Sequence, residues 1–443
     1  MFEQEIERKI GDFRELCFPE FIPRKSRLQM ADNMVSTVIG ARRAGKSYRT
    51  IQAASELIKR KAIKSINHIC LLDFDNPILS SIKAIDLKII QNTFLKLSPD
   101  VELKTPLLFV LDEIHKISGW EEYVIELSRN PNWKVIVTGS SSKLLKHDIA
   151  TELRGKAVSS ILYPLSFSEF LRFKNFKYDY KSTKGQAEAR RMFDEFMKWG
   201  GYPAIVNAEE YTKEVLLREY FDTMILKDII QRYNVSKPKQ CIHLYNYLMS
   251  NIGKAHTLQS NFRYLKQAGF KSSRDTIRKY INWAKDSWLL FTVPIFSDSL
   301  KDQERNYKKV YAIDWALANK NSLIWDGSYS RALENMVFIH LYQRWPRVHY
   351  YLTRTKRQEV DFIAIDSKGH PALAVQVCMD ISHEETIKRE LEAIISTAKY
   401  FKIKENLILT YNQEKDFQIE GITVRAMPVW RWLLEGSLNG VTP

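Results

Sequence analysis

Residues 40–47 constrain this chain more than any other segment, because they read Gly-Ala-Arg-Arg-Ala-Gly-Lys-Ser and fit the pattern GxxxxGK[ST]. An apolar, β-rich run from Val35 to Ile39 precedes them, and a helical pattern from about Ser47 to Lys59 follows. A glycine turn between a strand and a helix aims backbone N–H groups and the positive end of the helix dipole at one point. We therefore expect a phosphate-binding loop. The alternative is a glycine turn that carries a surface lysine.

This loop supplies the predicted nucleotide-binding residues. They are Gly40, Ala41, Arg42, Arg43, Ala44, Gly45, Lys46 and Ser47. In a loop of this type the lysine reaches the β- and γ-phosphates, and the hydroxyl group that follows it binds magnesium. The predicted ligands are therefore ATP and Mg²⁺, with Lys46 as a catalytic candidate and Ser47 as a metal ligand.

A second apolar run, Leu107 to Leu111, ends in Asp112 and Glu113. Ligands gather at the carboxyl ends of strands in open α/β sheets. Together the two segments resemble the Walker A and Walker B motifs. We expect Asp112 to hold Mg²⁺ and Glu113 to polarise the attacking water, since phosphoryl transfer needs a metal and a positioned nucleophile. An isolated acidic pair after a strand is as often a solvated turn, and the preceding loop favours the catalytic interpretation.

A third strand-like run, Lys134 to Thr138, is followed by a glycine and three serines. If this strand is parallel to the others, Thr138 or Ser140 lies on the same rim as the loop. Ser140 is therefore a further catalytic candidate. The alternative is a turn followed by a helix N-cap, and the sequence does not decide between the two.

Strand-like runs alternate with helical patterns over the first two hundred residues, which predicts an α/β fold with a mainly parallel sheet. The chain becomes helical from Lys213 to about Leu265, and it is mixed α/β again from Ser330 onward. We expect three domains, with bounds 1–205, 206–327 and 328–443.

The charge balance favours polyanionic partners, because 67 Lys and Arg residues face 52 Asp and Glu residues. No apolar run reaches the ~18 residues of a membrane helix, and the first residues lack a secretory signal pattern. The chain is therefore expected to be cytoplasmic, with no membrane partner. Its four cysteines form no CxxC pair, so buried thiols are expected rather than a zinc site.

The surplus of positive charge is concentrated between Lys254 and Lys309, where twelve Lys or Arg residues face five Asp or Glu residues. Ser272 and Ser273 suit the cap of a helix that would carry the basic residues. The candidate DNA-binding residues on it are Arg274, Arg278 and Lys279. A basic face that docks a protein is the alternative.

These segments and several others resemble a family of prokaryotic AAA-type P-loop ATPases. Members pair an N-terminal ATPase with a winged-helix region and a C-terminal domain of unknown function similar to the restriction-endonuclease fold. The matching segments are Ile39 to Ser47, Asp112 to Lys116 with Trp120-Glu121, Thr138 to Ser142, Tyr163 to Phe170, Gly200 to Pro203, Lys309 to Asp314, Leu333 to Asn335 and Glu359 to Phe362.

The resemblance implies Mg²⁺-dependent ATP hydrolysis coupled to double-stranded DNA binding or to a conformational switch, in a ring or a dimer. One alternative is an ATP-dependent switch that binds a protein partner and no DNA. The other is a metal-dependent nuclease.

The chain departs from the family pattern in two places. Arg154 is the candidate arginine finger or sensor, but Lys156 stands where the family usually has arginine, so slow hydrolysis is expected. The resemblance also implies a vestigial nuclease site at Glu334, Glu359, Asp361 and Gln376. Gln376 replaces a ligand carboxylate and Cys378 replaces the lysine of such sites, so nuclease activity is not expected.

Overall fold

The computed structural model describes residues 1–16, 18–102, 104–140, 153, 155–177, 182–297, 299, 307–321, 329–354 and 356–435. The chain divides into two compact units. The first consists of Met1–Tyr163 with Asp286–Trp288, and the second of Pro164–Lys285 with Leu289–Pro443. The three-domain division at 205 and 327 stays a prediction.

The first unit is a parallel α/β domain. Its elements are α1 (Phe2–Leu16), β1 (Val35–Gly40), α2 (Lys46–Lys59), β2 (Ile69–Asp73), α3 (Lys88–Lys96), β3 (Leu107–Asp112), α4 (Trp120–Ser128), β4 (Trp133–Gly139) and β5 (Ala157–Leu162), with 3₁₀ turns at Ile66–His68, Leu79–Ser81, Ala84–Asp86 and Ile114–Lys116. The sheet has the strand order β2-β3-β4-β1-β5, and every neighbouring pair is parallel. This confirms the predicted parallel α/β fold.

Strand β3 shows why the predicted strands are apolar throughout. Phe109 and Leu111 point into one core cluster, whereas Leu108 and Val110 point into another on the opposite face of the sheet. A parallel sheet covered on both faces needs apolar residues at consecutive positions. Because the strands are parallel, the carboxyl ends of β1, β3 and β4 meet at one edge of the sheet.

The second unit is helical first and mixed α/β afterwards. Its first elements are α5 (Phe167–Phe173), α6 (Thr183–Trp199), α7 (Pro203–Val206), α8 (Glu210–Thr223), a π-helix (Met224–Gln231), α9 (Pro238–Met249), β6 (Ala255–His256), α10 (Leu258–Gln267), α11 (Arg274–Asp286), β7 (Leu290–Pro294), β8 (Lys308–Ala312) and α12 (Trp315–Lys320). Its later elements are α13 (Ser330–Tyr342), β9 (Arg347–Leu352), β10 (Glu359–Ile365), β11 (Pro371–Cys378), α14 (Glu384–Phe401), β12 (Glu405–Thr410), β13 (Lys415–Ile419), β14 (Ile422–Pro428) and α15 (Val429–Glu435).

Two sheets belong to this unit. A small antiparallel sheet has the order β6-β8-β7. A six-stranded mixed sheet has the order β13-β14-β12-β11-β10-β9, in which β9, β10 and β11 run antiparallel and β11, β12 and β14 run parallel. Helix α14 forms the connection from β11 to the parallel strand β12.

The cysteines follow the expectation in part. Cys70 and Cys241 are buried thiols, Cys378 is partly exposed, and Cys17 lies outside the described residues. In the part of the chain that the structure describes, no helix has both the length and the apolar character needed to cross a membrane.

Candidate nucleotide-binding site

The loop at residues 40–47 has the backbone conformation that its glycines permit. Gly45 is the N-cap of α2 with φ 96°, and Gly40 has φ 153°. A Cβ atom on Gly40 would lie 2.0 Å from the carbonyl oxygen of Leu162, at the end of the neighbouring strand β5. Glycine is therefore required at position 40 by the close approach of two backbones. The predicted strand–loop–helix context is confirmed.

Lys46 lies inside the loop and is 6% exposed. Its Nζ atom lies 3.3 Å from the carbonyl oxygens of Gly40 and Ala41, to which it donates hydrogen bonds. The same atom lies 3.4 Å from Oε1 of Glu113, so the structure brings together the two catalytic candidates from β1–α2 and from β3. An anionic phosphate in the loop would compete with these acceptors for the ammonium group.

Thr138 links the two acidic residues. Its Oγ1 atom accepts a hydrogen bond of 2.9 Å from the backbone N–H of Glu113, and its hydroxyl donates to Oδ1 of Asp112. This contact exists because β4 lies between β1 and β3 in the sheet. Both hydrogen bonds hold the acidic pair in place. Ser140 lies one residue beyond β4 and is buried, and its catalytic role stays a prediction.

The side chains of Ser47 and Asp112 fit a magnesium ion. Burial raises the pKa of Asp112, although hydrogen bonds from Ser47 and Thr138 oppose the rise. A hydroxyl and a carboxylate oxygen are ligands that Mg²⁺ accepts. These two residues would hold the ion, which would neutralise charge on the phosphates. Asp73, opposite Asp112 in the register of β2 and β3, adds a third carboxylate that the sequence analysis missed.

Glu113 has the electrostatic environment of an ionised carboxylate. Burial alone would raise the pKa of Glu113, but the positive charges of Lys46, His115 and Arg42 outweigh it and hold this pKa below its ordinary value. Its Oε2 atom lies 3.3 Å from Nδ1 of His115. An ionised carboxylate can accept a hydrogen bond from water, which suits the predicted role.

Arg24 is a residue of this site that the sequence analysis missed. It is 8% exposed and lies in the segment between α1 and β1. Its guanidinium group donates 2.8 Å hydrogen bonds to the carbonyl oxygens of Ala44 in the loop and of Tyr163 after β5. The side chain of Gln52 on α2 accepts a 2.8 Å hydrogen bond from the backbone N–H of Arg24 and donates a 3.1 Å hydrogen bond to the Arg24 carbonyl oxygen. A single arginine in an irregular segment gives no pattern that would have revealed it.

The predicted arginine finger or sensor is Arg154. Arg154, together with Ser141 and Ser142, lies outside the described residues, whereas Lys156 is described and is exposed just before β5. The roles of Arg154 and Lys156 stay predictions.

The predicted DNA-binding residues lie on α11 in the second unit. Ser273 caps this helix by accepting a 3.1 Å hydrogen bond from the backbone N–H of Thr276, as predicted. Arg274, Arg278 and Lys279 are exposed. Arg278 donates a 2.9 Å hydrogen bond to Asp275 on the same helix.

Arg274 and Arg278 also line an open cavity of about 960 Å³, whereas Lys279 is not part of its lining. The basic residues around this cavity are Arg263, Arg274, Arg278, Lys285 and Lys308. No Asp or Glu residue occurs among the described residues that line it. We call this surface the basic cavity.

The residues of the predicted nuclease site come together, but around a lysine. Glu334, Glu359 and Asp361 all lie within 3 Å of Nζ of Lys309. Gln376 accepts a 3.2 Å hydrogen bond from the backbone N–H of Asp361. Within the described ranges, no group of three or more His, Cys, Asp or Glu residues is arranged to hold a metal ion.

Comparison with known proteins places the chain in a family. The uncharacterized protein MJ1544 of Methanocaldococcus jannaschii is 31% identical over 428 residues, which cover 93% of this chain and 91% of that protein. The chain belongs to the MJ1544 family. A second relative, an uncharacterized protein of Haemophilus influenzae, is 29% identical over 380 residues, which cover 84% of this chain and 91% of that protein.

Within this MJ1544-family chain, residues 32–171 match a family model described as an AAA domain. That span contains the loop, the acidic pair and Thr138, so the chain carries an AAA-type P-loop domain. Residues 190–324 match a domain of unknown function, DUF8612. The predicted winged-helix and restriction-endonuclease-like parts stay predictions.

Solved structures show weaker likeness to this MJ1544-family chain. The Walker-type ATPase paby2304 of Pyrococcus abyssi has a TM-score of 0.38 and 15% identity, covering 72% of this chain and 95% of that chain. The ORC1 protein of Aeropyrum pernix, solved in complex with DNA, has a TM-score of 0.30 and 11% identity, covering 72% of this chain and 91% of that chain.

Proposed function

We propose that this protein binds ATP with Mg²⁺ at residues 40–47 and hydrolyses it to ADP and phosphate. The observation that carries the proposal is the placement of Lys46 Nζ 3.4 Å from Glu113 Oε1, beside a glycine loop at a helix N-terminus. The AAA-domain match over residues 32–171 supports it.

The roles follow from the geometry. The N–H groups of the loop and the start of α2 bind the phosphates, and Lys46 moves from the loop carbonyls to the phosphate oxygens. Ser47 and Asp112 hold the magnesium ion. Glu113 accepts a proton of the water that attacks the γ-phosphorus, while the bond to the β-phosphate oxygen breaks and ADP leaves. The two hydrogen bonds of the Thr138 hydroxyl hold Asp112 and Glu113 in place.

The test separates binding from turnover. Lys46→Ala should abolish tight binding of a fluorescent ATP analogue, whereas Glu113→Gln should bind the analogue but release no phosphate. Lys59→Ala is the matched control, because it removes an exposed lysine at the far end of the same helix. Full ATPase activity of Lys46→Ala would refute the site, and an undiminished rate in Glu113→Gln would refute its assignment as the water-positioning group.

We further propose that the second unit binds double-stranded DNA, and the basic cavity is the observation that favours this partner. Five Lys and Arg side chains line the cavity with no described carboxylate among them, which suits contacts to phosphates. The element order α9-β6-α10-α11-β7-β8 with its antiparallel sheet supports the winged-helix interpretation.

Binding of duplex DNA that weakens steeply with added salt is the expected result. Replacing both Arg274 and Arg278 by alanine should weaken binding at every sequence and reduce the salt slope by about 1 for each phosphate that is no longer neutralised. Lys266→Ala on α10 is the control, because Lys266 is exposed and lies outside the cavity lining. No binding of duplex, with an ATPase rate unchanged by added DNA, would favour an acidic protein partner instead.

A further inference from the structure

The ammonium group of Lys309 lies at the centre of the residues predicted as a nuclease site. Nζ lies 2.9 Å from Oε1 of Glu334, 2.7 Å from Oε1 of Glu359 and 2.9 Å from Oδ1 of Asp361. We call these three acidic residues the carboxylate cluster. Lys309 itself is 2% exposed.

Three separate elements supply these groups. Lys309 comes from β8, Glu334 from α13, and Glu359 and Asp361 from β10. Tyr311, two residues after Lys309 on β8, donates a 2.7 Å hydrogen bond to the same Oε1 atom of Glu334. The contacts of Lys309 therefore connect β8 of the small antiparallel sheet to helix α13 and to β10 of the six-stranded sheet.

The contact between β8 and α13 has a second part. The side chain of Asn335 accepts a 2.8 Å hydrogen bond from the backbone N–H of Ala312 and donates a 3.0 Å hydrogen bond to its carbonyl oxygen. This pairing satisfies a strand backbone as a neighbouring strand would. It fixes the register of α13 against β8, and so fixes Glu334 opposite Lys309.

The electrostatics keep Lys309 charged. Burial lowers the pKa of Lys309, but the carboxylates of Asp361, Glu334 and Glu359 outweigh burial and hold this pKa well above its ordinary value. The buried ammonium donates hydrogen bonds to Glu334 and Asp361, and Oε1 of Glu359 lies 2.7 Å from it as a third ionic partner.

The residues present do not fit the divalent ion that the nuclease resemblance implies. Mg²⁺ binds oxygen at about 2.0–2.1 Å, so an ion shared by these carboxylates would occupy the space that Nζ fills. The second oxygen of Asp361 accepts a 2.9 Å hydrogen bond from the backbone N–H of Val377. The side-chain oxygen of Gln376 likewise accepts a 3.2 Å hydrogen bond from the backbone N–H of Asp361. Both oxygens of Asp361, Oε1 of Glu334 and the side-chain oxygen of Gln376 are therefore already used by donors of this chain.

We propose that Lys309 is the permanent cation of the carboxylate cluster and that it excludes a divalent metal from it. The nuclease-like site is thereby converted into an ionic centre that holds β8, α13 and β10 together. Each of the motifs at residues 309–314, 333–335 and 359–362 contributes at least one side chain to this centre.

The test is a titration of the full-length, nucleotide-free protein with Mn²⁺, measured by calorimetry and electron paramagnetic resonance. Any Mn²⁺ site at the P-loop is common to all variants and cancels in the comparison. Wild type and Glu359→Gln should bind the same number of Mn²⁺ ions with the same affinity. Lys309→Ala should bind one additional Mn²⁺, and adding Glu359→Gln to it should weaken that site about tenfold or more. Lys309→Arg keeps the positive charge and should behave as wild type.

Two results would overturn the proposal. One is a Mn²⁺ ion bound by wild type that Glu359→Gln weakens. The other is a folded Lys309→Ala protein that gains no Mn²⁺ site. If Lys309→Ala does not fold in metal-free buffer, recovery of its native circular-dichroism spectrum on addition of Mn²⁺ supports the proposal. If the spectrum does not recover, the proposal is decided by Mn²⁺ binding of the other two proteins: it fails if Glu359→Gln binds Mn²⁺ more weakly than wild type and holds if the two bind alike.

Discussion

The guanidinium group of Arg24 donates a 2.8 Å hydrogen bond to the carbonyl oxygen of Ala44, in the middle of the phosphate-binding loop. Its other terminal nitrogen donates a 2.8 Å hydrogen bond to the carbonyl oxygen of Tyr163, directly after β5. One side chain therefore connects the loop to the neighbouring edge strand of the sheet. A loop that must present its N–H groups to phosphates benefits from a fixed backbone, because ordering it upon binding would cost affinity.

Arg24→Ala should raise the KM for ATP about tenfold and change kcat less, because it removes a charged, buried hydrogen bond of roughly 1.5–3 kcal/mol while the catalytic groups remain. Steady-state ATPase kinetics measure both constants. Arg27→Ala, three residues along the same segment and exposed, is the control and should leave the KM unchanged. A KM unaffected by Arg24→Ala would show that Arg24 does not position the loop.

Thr138→Val should lower kcat at least tenfold and preserve the fold. Valine has the shape of threonine, but it leaves the buried N–H of Glu113 and the carboxylate of Asp112 without their shared partner. Phosphate release at saturating ATP measures the effect. Thr138→Ser keeps the hydroxyl and should retain most of the activity; equal loss in both variants would point to packing instead of hydrogen bonding.

Gly40→Ala should destabilise the first unit and abolish ATP binding, because its Cβ would lie 2.0 Å from the Leu162 carbonyl oxygen. Thermal unfolding with and without ATP measures both effects. Gly11→Ala is the matched control. Nothing lies within 4 Å of a Cβ at that position in α1, so this variant should be neutral or up to about 1 kcal/mol more stable. A Gly40→Ala protein that binds ATP normally would contradict the backbone contact.

The stability of the second unit should depend on the titration of Asp314. This buried carboxylate accepts hydrogen bonds from the N–H groups of Gly201 at 2.7 Å and Ala316 at 2.9 Å, yet burial raises its pKa to about 6 from 3.8. The folded state therefore binds a proton more tightly than the unfolded state. The resulting stabilisation is complete below about pH 4 and is lost as pH rises through about 6, a change of roughly 3 kcal/mol.

Urea unfolding at several pH values, with Asp314→Ala as the reference, isolates this contribution. The difference in unfolding free energy between wild type and Asp314→Ala should fall as the pH rises from about 4 to about 6 and should be constant above that range. A difference that grows over this interval would mean that the folded protein favours the ionised carboxylate.

The sequence alone determined the features that depend on local pattern. The apolar runs predicted β1, β3 and β4 to within one residue at each end, because strands buried on both faces need consecutive apolar residues. The spacing of glycine, lysine and serine predicted the loop, and Ser273 predicted the start of α11. The continuous helical pattern after Lys213 did not predict the π-helix at Met224–Gln231, since that geometry changes the hydrogen bonding within an otherwise helical segment.

Contacts between residues far apart in the chain depend on the tertiary fold. Thr138 reaches Asp112 and Glu113 because β4 lies between β1 and β3, an order that no local period encodes. Arg24 reaches Ala44 from an irregular segment, and Lys309 reaches the carboxylate cluster from a different sheet. Hydrophobic periodicity records which face of an element is buried, whereas the partners across that face depend on how elements far apart in the chain pack together.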